Sequence, residues 1–365
     1  MIKMNDFTAE PKELGRRELA AIEKVLRSGR FILGREVEAF EQTWAKFCGT
    51  RFCAGVGNGM EAIELGLRAL DIGPGDEVIT TPMTAMASVI AIMRSGATPV
   101  LADIDPGTAL LNRASAERCL TQKTKAVLLV HLYGQISQME DWMAFCRNAK
   151  IHLLEDCAQA HGANWNGIYG GGFATWGAYS FYPTKNLGAR GDAGAVVIHS
   201  EEIATRVKQL RNYGMDKQYE HPEAGLNSRL DELQAAVLSV RVNWLQRFNA
   251  RRQEIARKYL AEIRNPRIEL LAAPAEEQAH VYYLFVVRCR ERNPLAQFLH
   301  ERGIETSVHY PIPAHQQGCG KNLRCDLHGL PHAESHATTC LSIPCHPQLR
   351  DNEVSTVITA INQFE

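Results

Sequence analysis

The chain has 365 residues, with 40 Lys and Arg against 41 Asp and Glu for a formal charge of −1. That length fits one large domain plus a smaller one, and the balanced charge leaves no basic excess to hold nucleic acid or an anionic membrane. No apolar run approaches the ~20 residues needed to span a bilayer, and the opening MIKMNDFTAEPKEL has no apolar signal core.

Residues 14–28 place Leu19, Ile22, Val25 and Leu26 on one helical face, and Gly29 stops the pattern. A second helix over 37–47 repeats it through Phe40, Trp44 and Phe47. A strand over 52–56 then runs into Gly57-Asn58-Gly59 and a helix over 60–70. Strand, glycine turn and helix present free backbone N–H groups and the positive helix end to an anion, so Asn58, Gly59 and Met60 are candidate phosphate ligands. The same glycine pair also suits a plain βα turn.

Strands over 77–81, 98–102, 126–131 and 151–154 alternate with helices over 86–94, 116–121 and 141–148. Near-continuous apolar strands in this rhythm indicate a mostly parallel sheet with helices on both faces. In such sheets ligands bind beyond the carboxyl ends of the strands. Asp156 leaves the sheet there, where a post-strand acid also serves as an ordinary helix cap.

The run GAYSFYPTKNLGARGDAG, residues 177–194, brings a short apolar and aromatic strand to Pro183 and then a lone lysine, Lys185, in a glycine-rich turn. Such a lysine suits an amine that forms a Schiff base with a carbonyl. A strand over 195–199, a helix over 203–212, a polar loop over 213–227 and a long helix over 229–260 follow. The remainder reads as a strand over 281–289, a helix over 295–302, a strand over 306–310 and a closing helix over 351–364, a smaller C-terminal α+β unit. The division falls into a large domain, 1–245, and a small one, 246–365. The 10 cysteines are scattered without a CxxC pair, which suits reduced thiols in a cytoplasm. Cys319, Cys325, Cys340 and Cys345 with His328 and His346 lack the spacing of a zinc site, so no metal is expected.

A phosphate cradle, a carboxylate and an amine on one sheet edge are what pyridoxal 5'-phosphate requires. A carboxylate beside the ring nitrogen keeps it protonated, and the freed lysine can carry a proton. The motifs VGNGMEAIELGLRAL, DIGPGDEVI, GATPVLADID, HLYGQ, LLEDCAQAHGA, SFYPTKNLGARGDAGA, LNSRLDELQAA and HYPIP stand in the order of a known family. Nearly end to end, the chain resembles the sugar aminotransferases named after DegT, DnrJ, EryC and StrS, pyridoxal-phosphate enzymes of fold type I.

The resemblance implies that Lys185 carries the cofactor as a Schiff base and that Asp156 partners its ring nitrogen. It further implies that Gln159 contacts the ring hydroxyl, and that Ser180, Asn58, Gly59 and Met60 hold the phosphate. Asn227 resembles an asparagine that reaches the phosphate of the neighbouring subunit, which implies a homodimer with shared sites. Phe31, Tyr182, His309 and Tyr310 match segments lining the substrate entrance, where packing of the domain junction would explain these aromatics equally well. Two positions depart from the pattern. Met86 aligns where many members carry an aromatic ring stacked on the cofactor, and Arg190 stands where small or apolar residues are usual.

The implied activity is transfer of an amino group from an amino acid, L-glutamate foremost, to a nucleotide-linked keto sugar. The stretch from Tyr182 to Gly188 resembles members that act at carbon 3 of a deoxysugar. Amination at carbon 4, an aminocyclitol-forming enzyme, and a non-catalytic regulatory protein on the same scaffold are the alternatives. A dehydratase of similar fold would lack the lysine, and a dinucleotide-binding dehydrogenase would show GxGxxG after the first strand.

Overall fold

The computed structural model describes residues 1–365. In chain order the strands are β1 (Phe52–Val56), β2 (Glu77–Thr80), β3 (Thr98–Leu101), β4 (Thr124–Val130), β5 (His152–Asp156), β6 (Asn164–Trp165), β7 (Ile168–Tyr169), β8 (Trp176–Ser180), β9 (Gly194–Ile198), β10 (Glu269–Leu270), β11 (Phe285–Arg288), β12 (Arg324–Cys325) and β13 (Cys340–Ile343). The helices are α1 (Lys12–Ser28), α2 (Arg35–Cys48), α3 (Gly59–Arg68), α4 (Met86–Arg94), α5 (Arg113–Arg118), α6 (Met139–Ala149), α7 (Glu201–Leu210), α8 (Glu232–Glu262), α9 (Arg292–Glu301), α10 (Pro331–Thr339) and α11 (Asp351–Asn362).

Eight strands form one sheet in the order β1-β9-β8-β5-β4-β2-β3-β12. Only β9 runs against the others, pairing antiparallel with β1 and β8. Apolar side chains fill both faces, as a sheet sandwiched by helices requires. On one face Leu65, Leu128, Trp176 and Val207 share a core with α3 and α7. On the other, Trp44, Tyr179, Phe181 and Leu238 pack α2 and α8 against β8 and β9. This is the mixed α/β architecture that the sequence implies.

Helix α8 links this layer to a second core. Its N-terminal half packs on α1 and α2. Its C-terminal half carries Ile255 and Tyr259 into a cluster with α9, α11 and the three-stranded sheet β10-β11-β13. Residue 245 lies inside this single helix.

Several elements differ from the sequence reading. Helix α5 begins at Arg113, ahead of the expected 116, because Asn112 Oδ1 accepts the Ser115 amide at 2.9 Å and caps it there. The strand expected over 281–289 shrinks to β11, since Tyr282 takes a φ of +45° that extended backbone does not allow. Residues 306–310 form no strand. A single bridge joins Ser307 to Ser342, and Pro311 and Pro313 follow, which cannot donate to a ladder. On α1, Leu19 and Leu26 face outward, 68% and 56% exposed, while Glu18 is buried among the helices. The sequence reading also passed over α10 and β12, and β12 pairs in parallel with β3 at the sheet edge.

Candidate active site

Lys185 stands in a turn held from several sides. Its amide donates to the Tyr182 carbonyl at 2.9 Å, and the Ala189 amide donates to the Phe181 carbonyl at 2.7 Å, closing the turn on the end of β8. Gly188 is needed there, since a Cβ at that position would lie 2.3 Å from the Pro183 carbonyl oxygen. Asn186 Nδ2 donates to Asn249 Oδ1 at 2.8 Å, tying the turn to α8. The Lys185 ammonium makes no hydrogen bond within the chain and lies over the Tyr283 ring, 4.4 Å from its centroid. Tyr283 is oriented in turn by its hydroxyl, 3.1 Å from that of Thr184.

Asp156 ends β5, which pairs in parallel with β8, so its carboxylate and Lys185 emerge on one edge. The side chain is buried and doubly held. Ser88 donates its hydroxyl to Oδ2 at 2.7 Å, and the Ala158 amide donates to Oδ1 at 3.0 Å. The local turn that an acid after a strand so often makes is therefore present, and one oxygen is left to a buried hydroxyl. Thr84 orients Ser88 at 2.8 Å. The preceding residue, Glu155, points to the other face. There it pairs with His131 at 2.8 Å and accepts the amides of Gly171, Phe173 and Ala174. Gln159 is buried and fixed at both ends. Its Oε1 accepts the Tyr133 amide at 2.6 Å, and its Nε2 donates to the Tyr310 hydroxyl at 3.2 Å.

The first turn of α3 faces these groups. Gly59 sits so close to β8 that a Cβ would come within 2.6 Å of Ser180 Cβ, and the bare backbone leaves its N–H accessible. One cavity is lined by Gly59, Met60, Ser88, Asp156, Gln159, Ser180 and Lys185. A helix N-terminus, a carboxylate and an unbonded amine around one cavity match the phosphate, ring nitrogen and aldehyde of pyridoxal phosphate, so the residues present fit this cofactor.

The other expected residues fall outside the lining. Asn58 caps α3, its Oδ1 accepting the Glu61 amide at 2.9 Å. Met86 packs into an apolar cluster with Met83 and Leu284, and the cavity is lined there by Thr84, Ala85, Ala87 and Ser88 in its place. Asn227 is exposed and bridges to Asn212, and it does not reach the cavity of its own chain. Phe31 and Tyr182 are exposed aromatics. Tyr310 touches the site through Gln159, and His309 lies close enough to Lys185 to feel its charge. Burial first, then that charge, pushes the His309 imidazole down to about 4. Ser88 and Tyr283 escaped the sequence reading, and Thr84 and Tyr133 stand in post-strand segments without being singled out. For Thr84 and Tyr133 the only signal was that position after a strand, which many spectators share, and Ser88 and Tyr283 carried none.

Beneath the lysine, His161 sits among Trp44, Tyr179 and Phe181, with ring centroids 6.0, 5.2 and 5.6 Å away. Burial, with the Lys185 charge second, pushes it down to about 3, so it is neutral at pH 7.

An α/β sheet with this lysine, carboxylate and helix end on one edge defines a pyridoxal-phosphate enzyme. The chain belongs to the DegT/DnrJ/EryC1/StrS aminotransferase family, whose model matches residues 12–362. It is 44% identical over 344 residues to the dTDP-3-amino-3,6-dideoxy-alpha-D-galactopyranose transaminase of Aneurinibacillus thermoaerophilus, covering 94% of each chain. It is 38% identical to the UDP-N-acetyl-3-dehydro-alpha-D-glucosamine 3-aminotransferase of Acidithiobacillus ferrooxidans, covering 99% of this chain and 97% of that one. The crystal structure of S. venezuelae DesV with a ketimine intermediate superposes with a TM-score of 0.96 at 41% identity, covering 99% of this chain and 98% of that one. Pyridoxal phosphate is the cofactor of the family, and solved neighbours carry it or its pyridoxamine form.

Two outcomes follow from this geometry. Ser88→Ala removes a donor from a buried carboxylate and is expected to weaken cofactor binding about tenfold, or ~1.4 kcal/mol. An absorbance titration of the apoprotein reads it, and unchanged affinity would mean that Asp156 is held without Ser88. For His161, the unfolded state binds a proton below about 6.5 that the fold refuses until about 3. Its contribution to stability is therefore full above pH 6.5 and is lost as pH falls towards 3, at up to ~1.4 kcal/mol per unit. His161→Phe should flatten part of the fall in thermal midpoint between pH 6.5 and 4, and a parallel profile would contradict this.

Proposed function

We propose that this aminotransferase moves the amino group of L-glutamate to the keto group at carbon 3 of a nucleotide-linked deoxysugar. The observation that carries the reading is the shared cavity of Lys185 and Asp156 at one sheet edge, in a chain similar over almost its whole length to two enzymes named for 3-amino or 3-dehydro sugars. One of those names carries dTDP and the other UDP, which supports the carbon position and leaves the nucleotide open.

In this reading the backbone of Gly59 and Met60 and the hydroxyl of Ser180 hold the phosphate, and Asn58 acts through its cap on α3. Asp156, held by Ser88, keeps a proton on the ring nitrogen, because an opposite charge at bonding distance stabilises the cation. Gln159, fixed by Tyr133 and Tyr310, would hold the ring hydroxyl. Bound pyridoxal phosphate supplies an electron sink for the carbon that gives up its proton. Lys185 would hold the cofactor covalently between turnovers, and its free amine would carry that proton. A positioned proton carrier is worth roughly 10²–10⁴-fold in rate. Burial keeps the His161 and His309 imidazoles neutral at pH 7, so neither adds a positive charge beside the lysine. His309, Tyr310, Phe31 and Tyr182 border the substrate entrance.

The active unit is proposed to be a homodimer in which Asn227 of one protomer serves the site of the other. Its exposure away from its own cavity supports this, as do the exposed Leu19, Leu26 and Phe31. The division into a large unit, 1–245, and a small unit, 246–365, and a cytoplasmic setting are part of the same proposal. The latter is supported by ten cysteines that are all free.

The test is the visible absorption spectrum of the loaded protein before and after L-glutamate. Loss of the lysine-bound band in favour of the pyridoxamine form is expected, followed by recovery on adding a 3-keto nucleotide sugar. Lys185→Ala should lack the band and turn over nothing, and a variant as active as the parent would remove Lys185 from the mechanism. A product aminated at carbon 4 would overturn the position alone. Light scattering should give a dimer mass, and a fully active monomer would end the shared-site reading.

A further inference from the structure

Arg190, two residues beyond the closing glycine of the lysine turn, is the departure from the family pattern that the activity does not absorb. Its guanidinium bridges two carboxylates. Nε and Nη2 donate to Glu18 at 3.0 and 2.7 Å, and Nη2 also donates to Glu10 at 2.6 Å. Arg241 on α8 meets the other oxygens of the same pair, at 2.6 Å to Glu18 Oε1 and 2.6 Å to Glu10 Oε1. The four side chains form a closed ring of two positive and two negative charges.

Three of the four are more than nine-tenths buried, with side-chain exposures of 9%, 7% and 7% for Glu10, Glu18 and Arg241. Such a ring is charge-balanced, and its forked arginines leave each carboxylate satisfied, the condition under which buried charges hold a geometry. Each corner belongs to a different part of the chain. Glu10 follows the N-terminal turn Phe7–Ala9, Glu18 lies on α1, Arg241 on α8, and Arg190 on the loop between Lys185 and β9. The Arg190 amide is also fixed, donating to Gln234 Oε1 on α8 at 2.8 Å.

The ring adjoins the lysine. Glu10, Arg241, Thr184, Lys185 and Asn186 line one narrow crevice, which shares only Lys185 with the cofactor cavity. We infer that Arg190 is a positioning residue for Lys185. By clamping the loop behind the lysine to α1, α8 and the N-terminal segment, it makes the placement of the amine depend on the docking of residues 5–18. This inference rests on Lys185 as the cofactor's attachment point.

The experiment measures covalent capture of pyridoxal phosphate by the apoprotein, read as the visible band and as the mass of the borohydride-reduced protein. Arg190→Met is expected to raise the half-saturating cofactor concentration about tenfold, the scale of losing one charge-assisted tie to a positioned group. Arg190→Lys keeps the charge without the fork and should fall between variant and parent. The double variant Arg190→Met with Glu18→Gln restores neutrality to the ring but not the clamp, so it should stay weak.

Parental capture by Arg190→Met, or full recovery in the double variant, would overturn the inference, the latter by assigning the effect to charge balance alone. Should Arg190→Met fail to fold, Gln234→Ala cuts only the backbone tie. Weaker capture is then expected, and parental capture overturns the inference. A parent protein that captures no pyridoxal phosphate at Lys185 would remove the site reading as well, whereas a capturing parent matched by its variant removes this inference alone.

Discussion

The parallel pairing of β5 with β8 is the constraint from which the site follows. Placing Asp156 opposite Ala178 sends a carboxylate and the lysine turn out of the sheet side by side. Asp156 could not be moved by one residue without changing face, because side chains alternate along a strand. That is why Glu155 and Asp156, adjacent in sequence, do unrelated work. One is sealed on the far face by His131 and three backbone amides, and the other opens onto the cavity.

Around that pair the protein spends its buried polar groups on orientation. Asp156, Gln159, Asn186 and Tyr283 each have a partner that fixes the side chain, while the Lys185 amine makes no hydrogen bond and rests on the Tyr283 ring. Lys185 is only half-buried, so its amine escapes the full cost of an unpartnered buried group. Leaving the one nucleophile unsatisfied, cushioned on the Tyr283 ring, keeps it available for a covalent bond.

Most of the architecture could be read from the chain. Apolar runs bounded by glycine and proline located β1, β4 and α4 closely, and the position of Asp156 and Lys185 after their strands gave the chemistry. What stayed hidden was set by contacts distant in sequence. The burial of Glu18 was unreadable without knowing that Arg190 and Arg241 would meet it, and Leu19 and Leu26 looked like core because periodicity cannot tell a packed stripe from one left uncovered. Ser88 carried no motif, since its importance comes from a single bond across 68 residues. The loss of strand at 281–284 came from one left-handed residue, Tyr282, in an otherwise apolar alternating run.

Strand β12 carries a consequence for how the chain can come apart. It is only Arg324 and Cys325, yet it covers the outer edge of β3, and Asp326 behind it is gripped by Ser115 and Arg118 of the first half of the chain. The rim of the main sheet is thus completed by residues made more than 200 positions later. Translated or severed without them, the earlier part would present a bare row of amides and carbonyls, a template for strands of other molecules. Solubility during synthesis therefore depends on the last third of the chain arriving in time to dress that rim.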